Sequence, residues 1–361
     1  MPNYQVKVVH TRTGAVLDDL PFSSFSLTAT VDWARHDSMS VTVPLTGTDS
    51  RREQVTGIAY EPWKRSLLLV RDGVAVWAGP IMTTRWGHTS VEFACGGLTQ
   101  LFDARLVNKT IANTTKMTTT ARAAARVLIR AAYDTISGAA YGLPVQASWL
   151  DLDALKSTRT YVGADLTTVY EAVKKVVEED GGPDIVLRPL ANTDLTYSGW
   201  RAFCGDPHLG RVDPLIAWDF PATITSLTGD LDGSSMVTRG FVLGDGSSDQ
   251  RAIVDRTNNL TDDGYPVLER ADRTQVSTRD ANVLRSLAAS YVAANGTQAS
   301  AWAVQVDPTY PGLNGWDLGD NAKFRTSGHW FLPDGERVRR ITGFTLTDDS
   351  LALETAPPLE G

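Results

Sequence analysis

The stretch Arg65-Ser66-Leu67-Leu68-Leu69-Val70-Arg71-Asp72-Gly73-Val74-Ala75-Val76-Trp77-Ala78-Gly79 reads as two strands folded about one turn. Leu67 to Val70 form an apolar outgoing strand, and Asp72-Gly73 is a hairpin turn pair. Val74, Val76 and Ala78 alternate along the return strand. A further strand follows the turn Gly87-His88-Thr89-Ser90. The pattern recurs near the other end of the chain. Leu318-Gly319-Asp320 opens a strand through Ala322 and Phe324, and Pro333-Asp334-Gly335 is its turn. The return strand carries Val338 and Ile341, and Thr347-Asp348-Asp349-Ser350 precedes a strand with Leu351 and Leu353. Two similar β units in one chain suggest a part for a ring or tube.

The sequence around these units divides into three segments. Residues 1–108 read as a first β domain. Tyr4, Val6 and Val8 alternate with polar residues, as do Phe25, Leu27, Ala29 and Val31, and then Met39, Val41 and Val43. Period-two alternation puts one face on a core. Leu98 to Phe102 reads as a short helix closing this domain. Residues 109–212 read as a small inserted α+β domain. One helix is expected over about 119–133, with N-cap oxygens from Asn113-Thr114-Thr115 and Thr118-Thr119-Thr120, and another after Asp165 as N-cap. The second carries Leu166, Val169, Tyr170, Val173, Val176 and Val177 at helical spacing and stops at Gly181-Gly182-Pro183. Residues 213–361 read as a second β domain with one helix at about 279–294, led by Ser277-Thr278-Arg279-Asp280 as a capping box and ended by Asn295-Gly296. The expected fold class is α+β, mainly β: two tube-like β-barrel domains with a small α+β domain inserted.

Composition narrows the function classes. The chain has 361 residues, enough for more than one core. At 42% hydrophobic and 21% charged it has the balance of a globular protein. No apolar run reaches the length of a membrane span, and no signal peptide is expected at Met1-Pro2-Asn3-Tyr4-Gln5. The net charge of −8 opposes general nucleic-acid binding. Arg122, Arg126 and Arg130 form the clearest basic stripe, read as the solvated face of a helix. Cys95 and Cys204 lie in apolar strand contexts that suit buried thiols; spacing leaves a disulfide between them open.

The sequence shows little catalytic chemistry. Neither a dinucleotide glycine pattern nor a phosphate loop is present. His10, His36, His88, His208 and His329 are scattered without metal-ligand spacing. Asp206-Pro207-His208 near Cys204 is the nearest thing to a nucleophile site, if the thiol and imidazole come within hydrogen-bond reach. Glu178-Glu179-Asp180 could supply paired carboxylates but ends a helix, where a solvated role is the simpler reading. Asp230-Leu231-Asp232-Gly233 and Asp245-Gly246-Ser247-Ser248-Asp249 resemble calcium loops but lack the closing glutamate, and turn chemistry explains them. Asn-x-Thr triplets at Asn108, Asn113, Asn259 and Asn295 carry no glycan in a chain without a secretory signal. Of ten tryptophans, Trp63, Trp77, Trp86, Trp316 and Trp330 lie beside strands and turns, where packing or an interface is the simpler use than a sugar platform. No catalytic, cofactor-binding or metal residues are assigned, and no enzyme activity or cofactor is expected.

Tyr60-Glu61-Pro62-Trp63, running through Leu69-Val70-Arg71-Asp72-Gly73-Val74-Ala75-Val76-Trp77-Ala78-Gly79-Pro80-Ile81, resembles the N-terminal region of minor tail proteins of long-tailed phages infecting actinobacteria. Tyr265-Pro266-Val267-Leu268-Glu269-Arg270 before a helix, Trp316-Asp317-Leu318-Gly319-Asp320, and Arg337-Val338 after the turn extend the likeness over most of the chain. The resemblance implies a tail hub, similar to a baseplate hub, with two tube-like barrels per subunit. In a homotrimer these would present six barrels to a sixfold tail tube. It implies as partners a distal tail ring or tail tube protein, the tape-measure protein and tail-tip or receptor-binding proteins, with DNA passing through the lumen without specific binding. The expected location is the virion tail tip, after assembly in the bacterial host cytoplasm. Some relatives carry a C-terminal peptidase or lysozyme domain; with Gly361 just after the last barrel strand, none is expected here. The rival readings are a tail-associated cell-wall hydrolase and a receptor- or carbohydrate-binding tail module.

Overall fold

The computed structural model describes residues 2–45, 61–108, 110–112, 142–146, 160–178, 182–205, 208–246, 251–273, 280–296, 299–309 and 315–359. These residues are mainly β, in mostly antiparallel ladders with a few short helices. They form two compact units. One comprises Met1–Leu227 with Ala303–Gly361, and the other is Thr228–Trp302.

The larger unit begins with β1 (Tyr4–His10), β2 (Val16–Leu20), β3 (Ser24–Thr30), β4 (Ser38–Pro44), β5 (Arg65–Arg71), β6 (Val74–Trp86) and β7 (Ser90–Gly96). Alternation sets the faces as expected: Met39, Val41 and Val43 of β4 are buried, while Ser40 and Thr42 are only partly covered. β5 differs, being buried from Ser66 to Arg71, the signature of a strand covered on both faces. Asp72 (φ 50°) and Gly73 (φ 80°) turn it into β6. Positive φ at both positions is type I′ geometry, whose twist matches that of the flanking strands.

The chain continues through α1 (Leu98–Asp103), β8 (Ile111–Ala112), β9 (Val145–Gln146), β10 (Thr160–Tyr161), α2 (Val169–Val177), β11 (Ile185–Ala191) and β12 (Ser198–Cys204). β12 pairs antiparallel with β11 and parallel with β9. The expected N-cap Asp165 does not cap α2. Asp165 ends a short 3-10 turn, and Leu166 takes a left-handed φ of 46° that interrupts any helical path. Thr168 caps instead, its hydroxyl accepting the Glu171 N–H at 3.1 Å. Of the expected apolar face, Val169, Tyr170, Val173 and Val176 are buried and Val177 is partly covered, but Leu166 lies before the helix and is exposed. The helix expected over 119–133 and its arginine stripe lie outside the described residues.

This middle stretch shares one core with the N-terminal strands. Val9, Leu68, Val70 and Ala78 pack with Tyr170, Val173, Val176 and Trp200. Two indoles fasten the layers: Trp33 Nε1 donates to the Ile185 carbonyl at 2.8 Å, and Trp200 Nε1 donates to the Ala78 carbonyl at 2.9 Å. The N-terminal strands and the described residues of 109–212 thus fall in one compact unit.

β13 (Ala217–Phe220) and β14 (Ile224–Asp232) come next. The smaller unit then holds β15 (Arg239–Leu243), β16 (Ile253–Thr257), β17 (Glu269–Asp272) and α3 (Ala281–Ala294). β15 pairs antiparallel with β16 and parallel with β17. Val242, Leu284 and Ala288 form its buried core. Asp280 caps α3, accepting from Asn282 N–H at 2.8 Å and Val283 N–H at 3.4 Å. The rest of the expected capping box lies outside the described residues.

The chain returns through β18 (Ala299–Val306) and ends with β19 (Asn321–Thr326), β20 (Gly335–Thr347) and β21 (Leu351–Ala356). One 13-stranded sheet runs β14-β18-β21-β20-β3-β4-β7-β6-β5-β1-β2, with β19 also on β20 and β13 on β19. Two barrels were expected, but no closed barrel forms among the described residues. The reason lies in β3. Its outer edge, which a closed N-terminal barrel would need, hydrogen-bonds to β20 from Gly343↔Thr30 to Thr347↔Ser26.

Candidate functional site: two equivalent strand units and their edges

The two hairpins read from sequence are copies of one topology. In chain order β3, β4, β5, β6, β7 correspond to β14, β18, β19, β20, β21, and in space each set follows the same order. β6 and β20 are both 13 residues long. Each pairs with a different strand along each half and shifts register in the middle, at Ile81/Thr83 and Ile341/Gly343. Such a bulge bends a strand and lets it serve two neighbours. One constant offset in residue number relates the ladders: Ile81↔Cys95 matches Ile341↔Thr355, Thr84↔Phe93 matches Phe344↔Leu353, and Trp86↔Val91 matches Leu346↔Leu351. The following turns close alike, Gly87 N–H to Ser90 O at 2.8 Å and Thr347 N–H to Ser350 O at 2.9 Å. The likeness ends at the far edge, where β1 runs antiparallel to β5 but β13 parallel to β19.

The first hairpin turn is the expected Asp72-Gly73, but the second is longer than its Pro-Asp-Gly suggested. β19 ends at Thr326 and β20 starts at Gly335. The intervening loop is organised by Gly328 N–H donating to Asp334 at 2.7 Å and by His329 Nδ1 accepting from Phe331 and Leu332 N–H. It holds Trp330 and Phe331 fully or largely in solvent.

A cleft of about 310 Å³ is lined by residues including Asp37, Trp77, Arg188, Phe203, Trp316 and Asp317. Arg188 bridges to Asp317 and lies 5.5 Å from the Phe203 ring centre. Asp37 accepts the Thr30 N–H at 2.9 Å and a bond from the Trp77 indole. Burial nevertheless pushes its carboxyl up to about 6, against the pull of those donors and of Arg188. Sequence reading passed over Asp37, since a lone aspartate before a strand carries no signal of burial.

Cys204 and His208 do not meet as a nucleophile pair: the Cys204 thiol donates to Gly205 O at 3.7 Å, while His208 Nδ1 faces Asp184 at 3.3 Å. Asp184 also accepts from Leu209 N–H at 2.8 Å and from Arg340. Asp206 and Pro207 lie outside the described residues, as do Glu179 and Asp180. Glu178 pairs with Lys174 at 3.8 Å. Asp230 to Asp232 belong to strand β14 rather than to a loop, and only at its end does turn chemistry appear, with Asp232 accepting Ser234 N–H at 2.7 Å. Arg251 Nε donates to Gly246 O at 3.1 Å, and Ser247 to Asp249 lie outside the described residues. Cys95 and Cys204 are buried thiols with no disulfide between them. Trp77 and Trp316 are buried, and Trp63, Trp86 and Trp330 are exposed. Among the described residues no cluster of three or more His, Cys, Asp or Glu could hold a metal ion.

No protein-family model matches the sequence, and no curated protein matches it. Solved structures do match in fold. A tail protein from Neisseria meningitidis MC58 superposes with a TM-score of 0.60 at 15% identity, covering 98% of this chain and 96% of that one. The 43 kDa tail protein of prophage MuSo2 from Shewanella oneidensis gives 0.61 at 10% identity, covering 98% of each chain. Prophage tail protein gp18 from Listeria monocytogenes EGD-e gives 0.54 at 11% identity, covering 99% of this chain and 95% of that one. The chain has the fold of these phage tail proteins over nearly its whole length.

Proposed function

We propose that this chain is a structural protein of a phage tail, a hub at the distal end of the tail tube. Its duplicated strand unit carries this reading. A chain that joins two copies of one unit edge to edge is suited to building a ring with twice as many units as chains. As a homotrimer it would offer six equivalent units, adapting a sixfold tube to a threefold tip. The tube-like barrels expected from sequence would then be features of the assembled ring. The full-length likeness in fold to tail proteins supports the reading.

In this role the chain contacts a distal tail ring or tail tube protein on one side, tail-tip or receptor-binding proteins on the other, and the tape-measure protein within. The net charge of −8 suits a lumen through which DNA slides without sticking. The protein works mechanically and without catalysis. It belongs to the virion after assembly in the host cytoplasm, with an actinobacterial host as the sequence resemblance implies. Antibody labelling of purified virions tests this: label at the distal tail end is expected, and label elsewhere or none rejects the reading.

A receptor- or carbohydrate-binding tail module is the second reading, favoured by the exposed Trp330-Phe331 loop. Glycan or host-cell binding that is lost in Trp330→Ala would support it.

A further inference from the structure

The cleft of about 310 Å³ lies within the larger unit, walled by parts of β3, β6, β11, β12 and β20 and by the residues just before β19. Its size is at the lower end for pockets that hold small organic ligands. The walls are largely aromatic and aliphatic, with Trp77, Phe203, Trp316 and Phe344 among them. One wall group lacks a partner. Trp316 is 5% exposed, and its Nε1 donor is buried with no hydrogen bond among the described residues. Leaving such a donor unmade is costly, and buried indoles ordinarily find an acceptor. Trp33 and Trp200 each donate to a backbone carbonyl, and Trp77 donates to Asp37. Trp316 packs at right angles to Phe344 and borders the cleft, so an acceptor held there would complete it.

The other polar groups of the wall narrow what carries that acceptor. Arg188, the cation among the described lining residues, is already paired with Asp317 and lies over the Phe203 ring, which argues against an anionic ligand. Asp37 takes donors from Thr30 N–H and the Trp77 indole, and a carboxylate has lone pairs for more. A ligand that accepts from Trp316 and donates to Asp37 through one kind of group carries hydroxyls. An alkyl chain or a bare aromatic ring would fill the space and leave Trp316 unpaired. An ammonium would donate to Asp37 but offer Trp316 nothing. Aromatic walls call for a ligand with C–H faces between its hydroxyls.

We propose that this cleft binds a residue of a neutral saccharide, its hydroxyls accepting from Trp316 Nε1 and donating to the Asp37 carboxylate, with its C–H face against the aromatic walls. The site binds and does no chemistry on the sugar. The inference goes beyond the tail-hub reading and does not depend on it. Relative to the second reading, it puts the saccharide in a walled cleft rather than on the Trp330-Phe331 loop, which is not among the described lining residues.

Methyl glycosides of hexoses, deoxyhexoses, pentoses and N-acetylhexosamines are the probes, read on the full chain by saturation-transfer NMR and tryptophan fluorescence. At least one is expected to bind with a Kd of about 1 mM or tighter. Trp316→Phe keeps a ring and removes the N–H, and is expected to weaken binding about fivefold, the loss of one neutral hydrogen bond. Val76→Phe, at a partly covered position in the cleft wall, is expected to block binding. Trp330→Ala is expected to leave it unchanged. Melting temperatures show that each variant is folded, and Val76→Phe carries the test if Trp316→Phe does not fold. Binding by none of the probes overturns the proposal and leaves a cleft filled by solvent. Binding that survives both cleft substitutions, or that is lost in Trp330→Ala, places the sugar elsewhere and overturns it too. Tighter binding of tyrosine amide than of any glycoside also overturns it, in favour of an aromatic side chain from a partner. Virion labelling reads the tail assignment separately, so a tail protein without a sugar site is distinguished from a sugar-binding chain that is no tail protein.

Discussion

Ile81 and Ile341 hold the same place in two copies of one strand unit: each carbonyl accepts a backbone N–H at 2.8 Å, from Trp63 and Gly319 respectively, just before a register shift bends its strand. The two surroundings have diverged around that shared point. Near Ile341, two loops cross where Gly210 and Gly319 touch. Gly210 has φ 102°, and a Cβ there would collide with the Gly319 carbonyl group. By contrast, the hairpin-turn glycine Gly73 (φ 80°) has nothing within 4 Å of its missing Cβ.

Gly210→Ala is therefore expected to lower stability by more than about 3 kcal/mol, since both backbone conformation and space are wrong for it. Gly73→Ala meets only the conformational cost, about 1 kcal/mol. Urea midpoints of the two variants check the order. Equal losses would show that the crossing relaxes freely.

Asp320 fastens the same crossing. It is 5% exposed and accepts Arg211 N–H at 2.8 Å, the Arg211 guanidinium at 2.9 and 3.2 Å, and Asp317 N–H at 3.0 Å. Asp320→Ala leaves these donors without an acceptor and is expected to cost about 3 kcal/mol. Asp320→Asn keeps one acceptor oxygen and is expected to lose about half as much. Thermal unfolding of both variants reads the difference.

These contacts show where sequence is legible and where it is not. Local patterns told the strands and hairpins apart, because alternation and Asp-Gly turns act over a few residues. The register shift at Ile341, the loop crossing at Gly210 and the buried place of Asp37 depend on partners far along the chain, and no local pattern encodes them. The duplication was visible as two similar hairpins. The pairing of β3 with β20, which turns two expected barrels into one open sheet, was not, since an edge strand reads the same whatever it pairs with. The cap of α2 moved from Asp165 to Thr168 for a backbone reason, the left-handed turn at Leu166, that side-chain preference alone does not reveal.

Thiol reactivity separates a structural role for the cysteines from a catalytic one. Burial pushes the Cys95 thiol well above the ordinary range, and Cys204 is also buried. Neither is expected to react with a thiol-specific chromogenic disulfide in the native protein, and both are expected to react at once after denaturation. Rapid reaction of one native thiol would reopen a nucleophilic role.

Asp37 makes stability depend on pH in an unusual direction. Its folded value of about 6 lies above the ordinary 3.8, so the folded state holds the proton more tightly than the unfolded chain. The unfolded chain gives up that proton first as pH rises from about 4 to 6, so this group's contribution is greatest below pH 4 and is lost through that window. Allowing for contact with the cleft's solvent, the loss is about 2 kcal/mol. Asp37→Asn cannot ionise, but its amide meets the Trp77 indole donor-to-donor, a cost of about 1 kcal/mol. The variant is expected to be less stable than the parent at pH 4 and equal to or more stable than it at pH 7. Urea midpoints across that range give the crossing directly. Parallel pH profiles for parent and variant would show that Asp37 titrates like an exposed carboxylate.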